Sequence, residues 1–331
     1  MTNRRQFVTA LGGAAAFGAL QHPLAALAEA VPQQVRIYYG FPAGSAGDSV
    51  ARRVADRLGG TDYTRNNAVV ENKPGAGGRI ALDTLKASPA DGSVLALAQA
   101  SALSTYPYIY SKLGYGIADF APVSIGAVMT HGLAVGPMVP ADVRTLKDYV
   151  AWAKTHPDQA SYGSPGAGST PHFLGALLGL NSGVELRHVP YRGSLPAVND
   201  VVGGQIASSV TTSGDYLPFV KAGKLRVLAT SGAQRAVYLP DVPTFAEQGF
   251  PELVADEWFG FFAPAKTPGP VVAAASSAIQ AALADKAVAE GLLSVGLVAQ
   301  GSSPEAMRGS LQSEYDRWGP LVKKVGFTAE S

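Results

Sequence analysis

Two glycine-rich stretches hold the groups most able to do chemistry here: Gly44-Ser45-Ala46-Gly47-Asp48 and Gly163-Ser164-Pro165-Gly166-Ala167-Gly168-Ser169-Thr170. Small residues let successive backbone N–H groups converge. A helix starting behind such a loop adds unpaired donors and the positive end of its dipole. Together these hold an anion without Lys or Arg. Ser45, Ser164, Ser169 and Thr170 add hydroxyl donors. Phosphate-binding patterns fail: no G-x-x-x-x-G-K-[ST] occurs, and Gly166-x-Gly168 runs on to Pro171 where G-x-G-x-x-G needs glycine. Gly44-x-x-Gly47 and Gly75-x-Gly77-Gly78 fit neither pattern. A small carboxylate is the anion left. Simpler roles compete for single residues. Thr170 before Pro171 fits an N-cap with proline at the first helical position. Asp48 fits a helix-start cap as well as a loop-shaping group, His172 a packed or capping residue, and Arg192 a solvated surface side chain.

Catalytic patterns are thin. Beyond the first thirty residues the histidines are His131, His156, His172 and His188, and no pair has metal-ligand spacing. Gly163-Ser164-Pro165-Gly166 and Gly168-Ser169-Thr170-Pro171 come close to G-x-S-x-G but do not match it. No cofactor or metal is expected. A formal charge of +1, from 26 basic and 25 acidic residues, lacks the basic footprint of a nucleic-acid binder. With no cysteine, disulfides, thiolate metal sites, Cys nucleophiles and a lipid-modified N-terminal Cys are all excluded. The 331 residues, 47% of them hydrophobic, suffice for about two domains with a sizeable core.

The elements that must position the loops read as alternating strand and helix. Val35–Tyr39, Ala68–Val70 and Val94–Ala98 are expected as strands, with helices from Asp48 and over Arg79–Lys86. The rhythm resumes with strands near Ala160–Gly163, Leu186–Pro190, Ile206–Thr211 and Leu225–Thr230. Helices are expected over Pro171–Leu180, Leu195–Gly203 and Tyr216–Ala222. Trp258–Phe262 returns to strand, followed by two helices and a C-terminus back on the first half. This alternation predicts parallel sheets with helices on both faces. Tyr39-Gly40-Phe41-Pro42-Ala43-Gly44 is echoed by Tyr162-Gly163-Ser164-Pro165-Gly166-Ala167. Two similar halves, each with a loop at the carboxyl end of a strand, predict two facing lobes with a ligand crevice between them.

The N-terminus reads as an export signal. Arg4-Arg5, an uncharged apolar stretch from Phe7 to Leu20, and Ala26-Leu27-Ala28-Glu29-Ala30 form charged, hydrophobic and cleavage regions. The twin arginine points to the Tat route, with cleavage after Ala28 or Ala30. Removing 1–30 takes away two arginines and one glutamate. The mature chain is then neutral and expected free in the periplasm.

The motifs along the chain resemble those of the Bug family, the solute-binding proteins of tripartite tricarboxylate transporters related to TctC. The matching stretches include Phe41–Asp48, Val70-Glu71-Asn72-Lys73-Pro74-Gly75-Ala76-Gly77-Gly78, Asp119-Phe120-Ala121-Pro122-Val123 and Tyr162–His172. His188–Ser194, Gly203-Gly204-Gln205, Leu239–Thr244 and Trp258–Pro264 follow in order. The resemblance implies a bilobal periplasmic-binding-protein fold, type II-like: two doubly wound α/β domains closing on a small carboxylate by hinge motion. The expected lobes are 31–132 plus 256–331, and 133–255. The implied ligand contacts are Phe41, Gly44, Ser45, Ala46, Gly47 and Asp48 from one loop and Ser164, Gly166, Ala167, Gly168 and Ser169 from the other. Ser101, Thr211 and Thr212 complete the set.

Two departures from the family pattern stand out. Gly44-Ser45 replaces the usual Gly-Gly, which adds a donor or narrows the pocket. Val210-Thr211-Thr212 replaces a Phe-Asp-Asn run. Thr211 and Thr212 do not pair with an amino group, which points away from an amino acid and towards a dicarboxylate, tricarboxylate or aromatic carboxylate. The expected protein is a monomeric, non-enzymatic receptor serving the membrane subunits of a tripartite transporter. A sensor kinase is an alternative partner. A Tat-exported serine hydrolase or cofactor enzyme is the rival reading.

Overall fold

The computed structural model describes residues 31–329; residues 1–30, expected as an export signal, lie outside them. Ten strands occur among the described residues: β1 Arg36–Tyr39, β2 Val69–Asn72, β3 Val94–Gln99, β4 Phe120–Val135, β5 Ser161–Ser164, β6 Arg187–Pro190, β7 Ser208–Thr212, β8 Arg226–Thr230, β9 Asp256–Pro264 and β10 Val298–Ala299. They join in the order β2-β1-β3-β9-β4-β7-β5-β6, with β8 and β10 also on β4. β1 pairs parallel with β2 and β3, and β5 pairs parallel with β6 and β7. The expected alternation is therefore present at both ends of the sheet. The middle is antiparallel: β9 runs against β3 and β4, and β4 runs against β7 and β8.

Period-two alternation explains why the first group folds as it does. Ile37 and Tyr39 of β1, Leu95 and Leu97 of β3, and Phe259 and Phe261 of β9 enter one core. Tyr38, Ala96 and Phe262 enter a second core on the opposite face. Helices cover both faces. Val50, Val54 and Ala55 of Ala46–Ala55 fill the first core, with Ile279 and Leu283 of Gly269–Ala284. Leu82 and Leu85 of Arg79–Lys86 fill the second. Each large apolar side chain so buried contributes about 1.5–3 kcal/mol. The second core continues unbroken into the other strand group, taking in Tyr162, Phe173, Leu177 and Val210.

Two features depart from the sequence reading. β4 is a sixteen-residue strand absent from the expected pattern. Its first part pairs with β9, and Gly132–Val135 lies between β7 and β8. It is buried on both faces, so its apolar residues do not alternate. Pro122, Gly126 and Gly132 punctuate it as breakers would, and its register shifts beside Pro122 and again after Ile125. Second, three helices rather than two follow β9: Gly269–Ala284, Lys286–Leu293 and Pro304–Val325. The last one does not lie on the first strand group alone. Its Trp318 meets Phe173 at 5.8 Å, and Phe327 just beyond it meets His172 at 4.8 Å.

The chain crosses between strand groups at β4 and again on the way into β9. Ser231 ties the two crossings. Its hydroxyl accepts from the His131 N–H at 2.9 Å and donates to the Ala255 carbonyl, while its own N–H donates to the His131 carbonyl at 2.8 Å.

Candidate ligand-binding site

The first loop is held by Asp48, which is buried. Oδ2 accepts the Gly44 N–H and the Arg52 Nε–H, both at 2.8 Å, and Oδ1 accepts from Asn72 Nδ2 at 2.8 Å. Burial alone would raise this carboxyl; the Arg52, Gly44 and Asn72 donors outweigh it and hold it below the usual carboxylate range. Asp48 is thus the loop-shaping group, and the Gly44 amide is committed to it. Gly44 has φ +83°, which the loop's turn requires and which glycine adopts without strain. Ser45 is the N-cap of Ala46–Ala55, and its hydroxyl donates to the Pro42 carbonyl at 2.7 Å. Ala46, Gly47 and Asp48 begin that helix, so their amides have no intrahelical acceptor. Phe41 is half-buried against Tyr39, ring centroids 5.6 Å apart. Gly47 is needed for space, because a Cβ there would lie 2.4 Å from the Tyr39 hydroxyl.

The second loop is tied by its own hydroxyls. Ser164, fully buried at the end of β5, shares a 2.7 Å hydrogen bond with His188 Nε2. Ser169 donates to the Gly166 carbonyl at 2.7 Å and accepts from the His172 N–H. Ser169, not Thr170, is therefore the N-cap of Thr170–Ser182, and Pro171 sits one position further in than the sequence suggests. The rule that places proline at the first turn tolerates either position. Gly168 donates its N–H to His172 Nδ1 at 3.1 Å, so this ring nitrogen carries no proton. Ala167 is exposed and Gly166 half-buried. His172 and His188 stack with centroids 4.0 Å apart. Burial, and for His172 also its neighbour, depresses them to about 3 and about 4, so both are neutral at physiological pH.

Three further residues expected in the site lie on other elements. Ser101 opens the short helix Ser101–Ser104 directly after β3. Thr211 and Thr212 end β7, where Thr212 stands opposite His131 of β4. Thr211 is buried, with its hydroxyl directed to the Thr212 carbonyl at 3.3 Å.

A buried carboxylate that the sequence reading missed lies beside two of these pieces. Glu257 of β9 is 5% exposed and pairs through Oε2 with His131 Nε2 at 3.0 Å; His131 is 1% exposed. Burial would push the Glu257 carboxyl up, yet it is held low by the His131 imidazole first and then by the Ser101 and Thr170 hydroxyls. Ser101 follows a strand of the first group and Thr170 follows the second glycine loop, so the carboxylate faces both. Its charge also reaches Tyr39, whose hydroxyl lies 3.4 Å from the Ser45 hydroxyl and is pushed up to about 12, mainly by burial. The available signal was a charged residue at the head of the apolar strand Glu257-Trp258-Phe259. Its partners lie at positions 101, 131 and 170, far beyond any local pattern.

The fold and this site define an α/β periplasmic-binding-protein architecture of solute-receptor type. The chain belongs to the TctC family, the tripartite tricarboxylate transporter family receptors, whose model matches residues 50–327. This is a family of solute-binding receptors, not of enzymes. The chain is similar to protein BugT of Bordetella pertussis (strain Tohama I), at 33% identity over 97% of this chain and 95% of that one. Among solved structures, R. palustris Rpa4515 with adipate superposes with a TM-score of 0.81 at 30% identity, covering 90% of this chain and 98% of that one. MatC from Rhodopseudomonas palustris with bound malate superposes at 0.77 and 26% identity, covering 88% and 99%.

Proposed function

We propose that this protein is a periplasmic receptor that captures a small organic carboxylate between its lobes and delivers it to the membrane subunits of a tripartite transporter. The supporting observation is the pair of strand–glycine-loop–helix units, braced internally by Asp48 and Ser169, with the Ala46 and Asp48 amides at one helix start and the Thr170 amide at the other left to meet an anion. The lobes are taken as 31–132 plus 256–331, and 133–255, hinged where Ser231 ties the two crossings. The ligand contacts are taken from Phe41–Asp48, Ser101, Ser164–Ser169 and Thr211–Thr212. Export through the Tat route and a monomeric state belong to the same reading. The adipate and malate held by the two structural relatives favour a dicarboxylate-sized ligand.

The test is a thermal-shift and calorimetry screen of the mature protein against di-, tri- and aromatic carboxylates. A binder present at 100 times its Kd stabilises the fold by about 2.7 kcal/mol and raises Tm accordingly. A flat response to every carboxylate sinks the proposal.

A further inference from the structure

Glu257 Oε1 is buried, and among the described residues it closes no hydrogen bond, although Oε2 of the same carboxylate is paired with His131. An ionised oxygen left without a donor in a buried position keeps its full desolvation penalty. The hydroxyls of Ser101 and Thr170, 5% and 3% exposed and at the starts of helices Ser101–Ser104 and Thr170–Ser182, lie close enough to act on this carboxylate. No lysine or arginine pairs with Glu257 among the described residues; its one ion-pair partner is His131. Other carboxylates lie close by: Asp256 precedes it on β9, and both Asp256 and Asp215 lie near enough to His131 to feel its charge. This corner of the site is therefore rich in acceptors, the reverse of the two helix starts.

We propose that Glu257, acting at Oε1 directly or through the Ser101 and Thr170 hydroxyls, forms an acceptor pole that selects carboxylates carrying a hydrogen-bond donor, a hydroxyl or an ammonium, on the ligand chain. The proposal rests on the receptor reading above and deepens it. Both routes give the same polarity. A ligand donor that reaches Oε1 completes the open oxygen. A Ser101 or Thr170 hydroxyl that donates its proton to Oε1 turns only lone pairs towards the ligand, and lone pairs accept. A second carboxylate placed at Oε1 would meet the open lone pairs of an ionised Glu257, whose ion-pair partner His131 sits on the other oxygen, Oε2, and would be disfavoured. Thr211 and Thr212 argue against an amino group on their own side of the site, whereas Glu257 accepts either donor. The choice between hydroxyl and ammonium is left to the ligand series.

Calorimetry with matched ligands tests this without any variant: succinate against malate and aspartate, and glutarate against 2-hydroxyglutarate and glutamate. The expected result is binding about tenfold or more tighter for at least one donor-bearing member of a set. Glu257→Gln keeps the shape but replaces one acceptor oxygen by a donor NH2, and should reduce that preference to within about threefold. Ser101→Ala should reduce it in the same direction. Equal affinity across both sets in the wild-type protein overturns the proposal while leaving the carboxylate receptor intact. So does a folded Glu257→Gln variant with an undiminished preference. Failure of all six ligands and of the wider carboxylate screen removes both readings together.

Discussion

His172 and His188 show how single residues set the conditions under which the second loop survives. The Gly168 N–H donated into His172 Nδ1 requires a neutral imidazole there, and the buried ring stack with His188 disfavours charge on either ring. Folded values of about 3 and about 4 lie below the unfolded value of about 6.5. In that window the unfolded chain binds more protons than the folded one. The contribution is complete above about pH 6.5 and is lost as pH falls, through about 4 for His188 and about 3 for His172. Each group costs at most about 1.4 kcal/mol per pH unit there. Urea denaturation midpoints measured from pH 7.5 to 4.5 should fall, and His188→Asn should make the fall shallower. A slope unchanged by that substitution refutes the assignment. At this scale Asp48 is readable from sequence, because Gly44 and Arg52, which close the loop on it, lie four positions away on either side; the cap falls on Ser169 where the sequence pointed to Thr170, and the His188 partner of Ser164 comes from another strand. Glu257 is not readable that way, since every partner that gives it meaning comes from another element.

The elements flanking the loops depend on a few backbone conformations. Gly168 has φ +78°, and a Cβ there would stand 2.6 Å from Ile109 Cδ1. Gly168→Ala therefore imposes a left-handed alanine, costing about 1–2 kcal/mol, and also pushes on a side chain from the other strand group. The expected outcome is a loss of about 1–2 kcal/mol in chemical denaturation together with weakened ligand binding; wild-type values for both would show that the loop tolerates a side chain. The parallel units β1–β3 and β5–β7 follow from sequence because Gly-rich turns separate β-branched and aromatic runs. β4 does not follow, because burial on both faces erases its alternation. Pro122, Gly126 and Gly132 hide a continuous strand whose pairing is supplied by β7, β8 and β9 rather than by its own residues.

At the scale of the whole molecule, the helix Pro304–Val325 spans both strand groups and bears on any relative motion of the two. Trp318 is buried, donates its indole N–H to Glu314 at 2.9 Å and packs on Phe173 of the second group. Tyr315 packs on Tyr108 of the first group, centroids 4.8 Å apart. Trp318→Ala should cost about 3–5 kcal/mol, read as a lower urea midpoint; a loss under 1 kcal/mol would mean that this contact is not part of the shared core. A different consequence follows from β4. A polypeptide of residues 133–255 would carry β5 to β8 with only the last three residues of the strand that β7 and β8 flank. The second half is therefore not a portable module. Exchanging this segment between relatives preserves the fold only where it brings its own copy of that strand.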